Sequence, residues 1–469
     1  MRFLNLLRPT PHAAPIEDED SIKKAYKYWR LRIFYSMYVG YIFYYFSRKS
    51  FTFAMPTLMK DLGFDKSDMG ILASIMAITY GLSKFISGVL SDRSNPRYFM
   101  AMGLILTGVA NILFGFSSSI ALFALFWGLN GWFQGWGWPP CARLLTHWYS
   151  QKERGTWWGT WNSSHSVGGA LIPLVAAFCA AYLGWRYAMF VPGVLCIFVG
   201  FLLINRLRDT PQSLGLPAIE DYRNDHPSQG KDHEERELSA KEILFKYVLT
   251  NKYIWILGCS YFFVYMIRQG VNDWGMLFLC EHKSYSTMFA SSCIFSFELG
   301  GMFGSFVAGW SSDKIFKGRR GPICALFSLS VILAVAGLWL SPPNAQILDS
   351  CLLFAIGFLI FGPQMLIGMA AAELSHKKAA GSATGFIGWI AYLGAATAGY
   401  PLSLITQYWG WEAFFWTIGI SGAVATGLLL PLWNVRYRSE ISPKDPRATT
   451  PNNEALPQTI SEKSSTSLL

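Results

Sequence analysis

About twelve stretches of this chain are apolar over roughly 20 residues, the length an α-helix needs to cross a bilayer. They centre near Gly40, Thr79, Leu106, Leu129, Val167, Ile197, Phe263, Ser296, Val331, Phe358, Ala395 and Ile420. In lipid every backbone polar group must find its partner inside the protein, so an apolar window of this length spans as a helix. Only 14% of the 469 residues are charged, against about 25% in soluble domains. The expected fold class is therefore an all-α membrane protein with twelve transmembrane helices.

Hydrophilic interruptions divide the chain. They predict an N-terminal segment (1–28), a six-helix bundle (29–207), a linker (208–248), a second six-helix bundle (249–437) and a disordered tail (438–469). The linker carries "RNDHPSQGKDHEERE", charged and poor in aromatics, as a solvated tether is. Met1–Lys27 has no apolar region and argues against a cleaved signal peptide. Arg93, Arg97, Lys152, Arg154, Lys314, Lys317, Arg319, Arg320, Lys377, Lys378, Arg436 and Arg438 share a side with the termini, against Lys60, Lys66, Arg186 and Lys283 opposite. That bias predicts cytoplasmic termini. It also absorbs most of the net charge of +10, so no nucleic-acid partner is needed. The eight cysteines fall in or beside the apolar windows and read as small hydrophobes. No metal or other cofactor is expected, and a monomer is.

The halves repeat each other. "GVLSDRSNPR" after the second window (Gly88–Arg97) is answered by "GWSSDKIFKGRRG" after the eighth (Gly309–Gly321), both G-x-x-S-D-[RK]. "LGWR" (Leu183–Arg186) is answered by "WGWE" (Trp409–Glu412). Repeats of this kind mark carriers that rock two bundles around a central site. Tyr45–x–x–Arg48 in the first window matches Tyr265–x–x–Arg268 in the seventh. A single such arginine could snorkel or pair with a neighbouring helix. Two at equivalent positions of a repeat should face each other across the bundle interface, where a guanidinium is costly without a counter-charge. Their planar forks suit a phosphoryl group bidentately.

Other residues group around this pair. His165 near the middle of the fifth window can follow the protonation of a phosphate, or be a structural histidine. Lys84 and Lys49 are further candidate phosphate ligands, with snorkelling or a helix contact open to Lys49. Tyr41, Tyr45, Tyr80, Tyr265 and Tyr392 lie at mid-span and suit a polyhydroxylated ligand in the cavity, and Tyr41, Tyr45 and Arg48 share one helix face. Among the embedded acids, Glu298 reads as a charge partner for a cation such as Arg268. Asp92, Arg93 and Arg97, with Asp313 and Lys314, read as gating or structural loop charges. No G-x-S-x-G elbow, Walker loop or metal-ligand cluster suggests an enzyme.

"YYFSRKSFTFAMPTL", "YGLSKFISGVLSDR", "QGWGWPPCARLLTHWYSQKERGTWWGTWN" and "GPQMLIGMAAAELSHKKAAGSATGF" resemble the organophosphate:phosphate antiporters of the major facilitator superfamily. The likeness runs from about residue 25 to 435 and is closest to the hexose-phosphate branch, which includes a transporter-like sugar-phosphate sensor. It implies two six-helix bundles about a pseudo-two-fold axis, phosphate held by Arg48 and Arg268, and a match to the family's fifth-helix histidine at His165. It further implies exchange of a hexose phosphate, glucose 6-phosphate first, for inorganic phosphate, in a bacterial inner membrane. The hexose-phosphate transporter of the family has a charged pair in its eleventh helix, whereas "SATGFIGWIAYLGAATAGYPL" here has no charge. Two alternatives therefore stand beside the carrier: a receptor for external sugar phosphate signalling through a partner kinase, and an antiporter for another organophosphate such as glycerol 3-phosphate. A proton symporter is disfavoured, because the first, fourth and fifth spans lack an embedded carboxylate.

Overall fold

The computed structural model describes residues 7–92, 94–224, 245, 248–375 and 380–435. The first half comprises α1 (Glu19–Leu62), α2 (Lys66–Asp92), α3 (Pro96–Phe116), α4 (Ile120–Gln134), α5 (Trp138–Trp148), α6 (Gln151–Tyr182) and α7 (Trp185–Arg206), followed by a short α8 (Ile219–Arg223). The second comprises α9 (Lys252–Glu281), α10 (Thr287–Lys314), α11 (Arg320–Leu340), α12 (Gln346–Leu374), α13 (Ala380–Thr397) and α14 (Tyr400–Leu429). Each of the twelve window centres falls inside one of these helices. Two spans are interrupted. Gly135 and Gly137, with Pro139 and Pro140 just beyond, break the fourth into α4 and α5. Gly410, at φ 79°, bends α14 so that its first turns complete the eleventh span and the rest forms the twelfth.

Helix neighbours are the same in both halves. Helix α1 packs on α6 and α7 as α9 packs on α13 and α14; α2 lies on α4 as α10 lies on α12; α3 meets α7 as α11 meets α14. Between the halves, α6 meets α10 and, in the equivalent place, α13 meets α2. Twelve spans in two repeated bundles make the major facilitator fold.

The bundles meet closely at the end opposite the termini. A Cβ on Gly70 of α2 would fall 2.5 Å from Ser403 Cβ of α14, so only glycine admits this approach. Nearby, Ser74 Oγ donates to Ala396 O at 2.6 Å and accepts from Tyr400 N at 2.7 Å. Further out, Ser67 N donates to Gln407 Oε1 at 2.9 Å and Gln407 Nε2 to Asp65 Oδ2 at 3.0 Å, while Lys66 Nζ lies 2.9 Å from Glu281 Oε2. Toward the termini the same face of α13 that carries Tyr392 continues through Gly388 and Gly385. A Cβ there would meet nothing within 4 Å among the described residues. The halves are thus closed together at the end opposite the termini.

Candidate anion-binding site

Arg48 and Arg268 line one cavity between the bundles, about 680 Å³ of empty space with its mouth included. The Arg48 guanidinium carbon lies 4.2 Å from the Tyr80 ring centre and 4.8 Å from that of Tyr45. Arg268 lies 4.7 Å from the ring centre of Phe361 and 5.8 Å from that of Tyr265. Tyr392 meets Tyr80 edge-on at 4.9 Å and Tyr265 at 5.5 Å, so rings from both halves enclose the pair. Among the described residues, Arg48 Nη2 and Arg268 Nε are buried donors without a hydrogen-bond partner. A buried donor left unmatched costs about 1–3 kcal/mol, more when charged, so the cavity favours a ligand rich in acceptors.

The aim of Arg48 comes from a residue the sequence did not single out. Because the fourth span breaks after Gln134, that side chain ends α4 beside α1, where its Oε1 accepts from Arg48 Nε at 3.2 Å. Gln134 Nε2 donates to Tyr44 O (3.0 Å), Ser47 Oγ (2.9 Å) and Asn130 Oδ1 (3.2 Å). Asn130 Nδ2 donates to Asn111 Oδ1 at 3.0 Å, and Asn111 Nδ2 to Met189 O at 3.2 Å. The three amides run head to tail from a main-chain carbonyl of α7, which fixes each amide's orientation and turns Gln134 Oε1 toward Arg48. Arg268 has no such anchor on Nε. The two arginines match in the sequence and differ in their support.

Lys49 and Glu298 correct the expected pairing. Glu298 of α10 binds Lys49, not Arg268, and Lys49 Nζ also donates to Asn272 Oδ1 at 2.8 Å. Lys49 is buried, so its charge is spent on a bond across the bundles rather than snorkelling or standing free for a ligand. Asp273, also buried, accepts from Gln269 and Asn272 and adds a second carboxylate to this wall. Gln269, Asn272 and Asp273 line the cavity and were likewise not singled out as site residues. The signal for them was a polar run in an apolar helix, "RQGVND".

Tyr41 and His165 sit beside Tyr45: the His165 ring centre lies 4.6 Å from that of Tyr41 and 5.5 Å from that of Tyr45, and its Nδ1 is 2.6 Å from Asn162 O. Lys84 Nζ lies 5.7 Å from the Tyr392 ring centre and 5.4 Å from that of Trp138. The loop charges are elsewhere, at the end bearing the termini. Asp313 and Glu373 both hold Arg320, within the second half. Arg97 Nε donates to Ile204 O. Arg93 and the Asp92 side chain lie outside the described residues, as do Lys377, Lys378, Arg436 and Arg438.

Two repeated six-span bundles around a midplane cavity, with a cation from each wall, define a membrane transporter. The chain belongs to the Major Facilitator Superfamily, whose model matches residues 37–399. It is 60% identical over 447 residues to the probable hexose phosphate transport protein of Chlamydia pneumoniae, covering 93% of this chain and 98% of that one. It is 50% identical to the membrane sensor protein UhpC of Salmonella typhimurium (93% and 99% covered) and 42% to the glycerol-3-phosphate transporter of Bacillus subtilis (93% and 100%). These relatives place it in the organophosphate:phosphate antiporter branch, as an integral multi-pass membrane protein. Among solved structures, a bacterial homologue of the human lysosomal transporter Spinster, inward-facing and unoccupied, superposes with a TM-score of 0.69 at 14% identity (86% of this chain, 95% of that one).

Proposed function

We propose that the protein exchanges a hexose phosphate, glucose 6-phosphate first among them, for inorganic phosphate by alternating access, without enzymatic turnover and as a monomer. Both termini lie in the cytoplasm in this reading, so the closed end faces outward. The observation that carries it is the pair of arginines, one from each bundle, presenting unpartnered donors to one midplane cavity. Arg48 and Arg268 clamp the phosphoryl group bidentately. Tyr41, Tyr45, Tyr80, Tyr265 and Tyr392 meet the sugar, and Lys84 and His165 add donors along the path. Closing the bundles on an empty site desolvates like charges, whereas a bound anion neutralises them. Exchange is then favoured over one-way flux, because the ligand stabilises the closed form relative to the open ones.

The test is efflux of labelled phosphate from loaded proteoliposomes. Fast efflux is expected only with external glucose 6-phosphate or phosphate present, and slow efflux into substrate-free buffer. Equal efflux under both conditions would overturn obligate exchange. The likeness to the sensor UhpC supports a second reading, a receptor that binds sugar phosphate and signals through a partner kinase. Binding without efflux under either condition would select it.

A further inference from the structure

A second cationic cluster lies away from the cavity, at the terminal end of the first half. Arg32 Nη2 donates to Asn205 O and Oδ1, both at 3.2 Å, and Arg208 Nη1 donates to the same Asn205 O at 3.0 Å. Arg97 Nε takes the adjoining carbonyl of Ile204. Three guanidiniums therefore converge on the last carbonyls of α7, where the helix dipole is negative. That contact uses few of their fifteen N–H donors. Arg32 and Arg208 also lie against Trp29, at 4.9 Å and 5.0 Å from its ring centre.

The bland account is helix capping, which half a negative charge would satisfy. It leaves an excess. Among the described residues no carboxylate lies within 4 Å of Arg32, Arg97 or Arg208; nearby Asp209 is taken by Arg143 at 3.0 Å, and Glu153 by Arg30 at 2.6 Å. Burial first, then the charges of Arg97 and Arg32, hold Arg208 below the ordinary arginine pKa.

Depth decides what neutralises the excess. Arg32 precedes the midplane Arg48 by 16 residues of continuous helix, about 24 Å at 1.5 Å per residue. The average helix tilt of about 20° brings it to about 22.5 Å, at the outer headgroup level of a bilayer whose half-thickness is about 15 Å for hydrocarbon and about 22 Å with headgroups. Tyr28 and Trp29 lie against Arg32 and Tyr98 against Arg97, as aromatics do at that level.

We propose that Arg32, Arg97 and Arg208, with Trp29 against two of them, form a headgroup site for an anionic phospholipid of the leaflet on the side of the termini. The phosphodiester lies across the unused guanidinium edges, and its acyl chains follow the outer faces of α1 and α7. The site is separate from the transport cavity, so it does not depend on the transported substrate.

The purified full-length protein in detergent, titrated with phosphatidylglycerol, phosphatidylcholine and inorganic phosphate at matched ionic strength, tests this by native mass spectrometry and melting temperature. Phosphatidylglycerol is expected to be retained in preference to phosphatidylcholine. Arg32→Gln/Arg208→Gln should weaken that retention roughly 30-fold, equivalent to about 1 kcal/mol for each guanidinium removed. Arg32→Lys/Arg208→Lys should keep most of it, which separates lost charge from misfolding. Equal retention of both lipids by the parent, or undiminished phosphatidylglycerol binding by the Gln variant, overturns the proposal. Stabilisation by inorganic phosphate that disappears in the Gln variant, without any lipid preference, assigns the cluster to a free anion and also overturns it.

Discussion

Replacing Gln134 by leucine separates having an arginine in the cavity from having it aimed. Gln134 Oε1 is the one acceptor described on Arg48 Nε, and the other end of the amide is tied to Tyr44 O, Ser47 Oγ and Asn130 Oδ1. Leucine fills similar volume but removes a hydrogen bond to a charged group, about 1.5–3 kcal/mol. If the anion relies on that orientation, phosphate affinity should fall roughly 10- to 150-fold. Stability should fall as well, by about 1–3 kcal/mol, because Asn130 Oδ1 loses its donor in a dry interior. Gln134→Glu gives the contrast: a carboxylate beside Arg48 competes with the substrate, so affinity should drop further. Phosphate affinity read by calorimetry, with exchange kinetics in proteoliposomes, is the assay. The expected signature is a raised KM with a smaller change in maximal rate. A folded Gln134→Leu protein that binds phosphate with parental affinity would refute the positioning role.

Arg48→Lys and Arg268→Lys should each abolish exchange while the protein still folds, since lysine keeps the charge and loses the fork; near-parental exchange in either would sink the clamp. Gly70→Val places atoms where Ser403 and the Gly399 carbonyl already lie, so it should block closure of the end opposite the termini and stop exchange, and reagent access to that end should rise; unchanged exchange would refute the need for contact there. At Asp65, burial raises the carboxyl pKa, but bonds from Ser67, the Asp68 amide and Gln407 outweigh it and hold it below 3.8. Its contribution is therefore complete above that value and lost as pH falls through the lower folded one. Asp65→Asn should flatten the acid end of the melting-temperature profile, and an unchanged acid limb would refute this. His165→Ala removes the donor placed along the path beside Tyr41 and Tyr45, and exchange should fall; an unaltered rate would make His165 a packing residue.

The sequence by itself determined the spans, their grouping by six, the repeat and the two arginines. Those follow from local rules: a segment in lipid must satisfy its own backbone, and a charge placed there stands out against an apolar background. What only the tertiary structure decided is which polar groups meet. Glu298 goes to Lys49, 249 residues away, and not to Arg268, because packing α6 on α10 and α1 beside α9 brings Lys49 against α10. Gln134 reaches Arg48 across 86 residues because a glycine break ends α4 at that depth. The arginines look equivalent in the repeat, yet one is braced by three amides and the other rests on Phe361. A one-dimensional pattern carries the price of burying a charge, whereas the partner that offsets it is chosen by how helices distant in sequence cross.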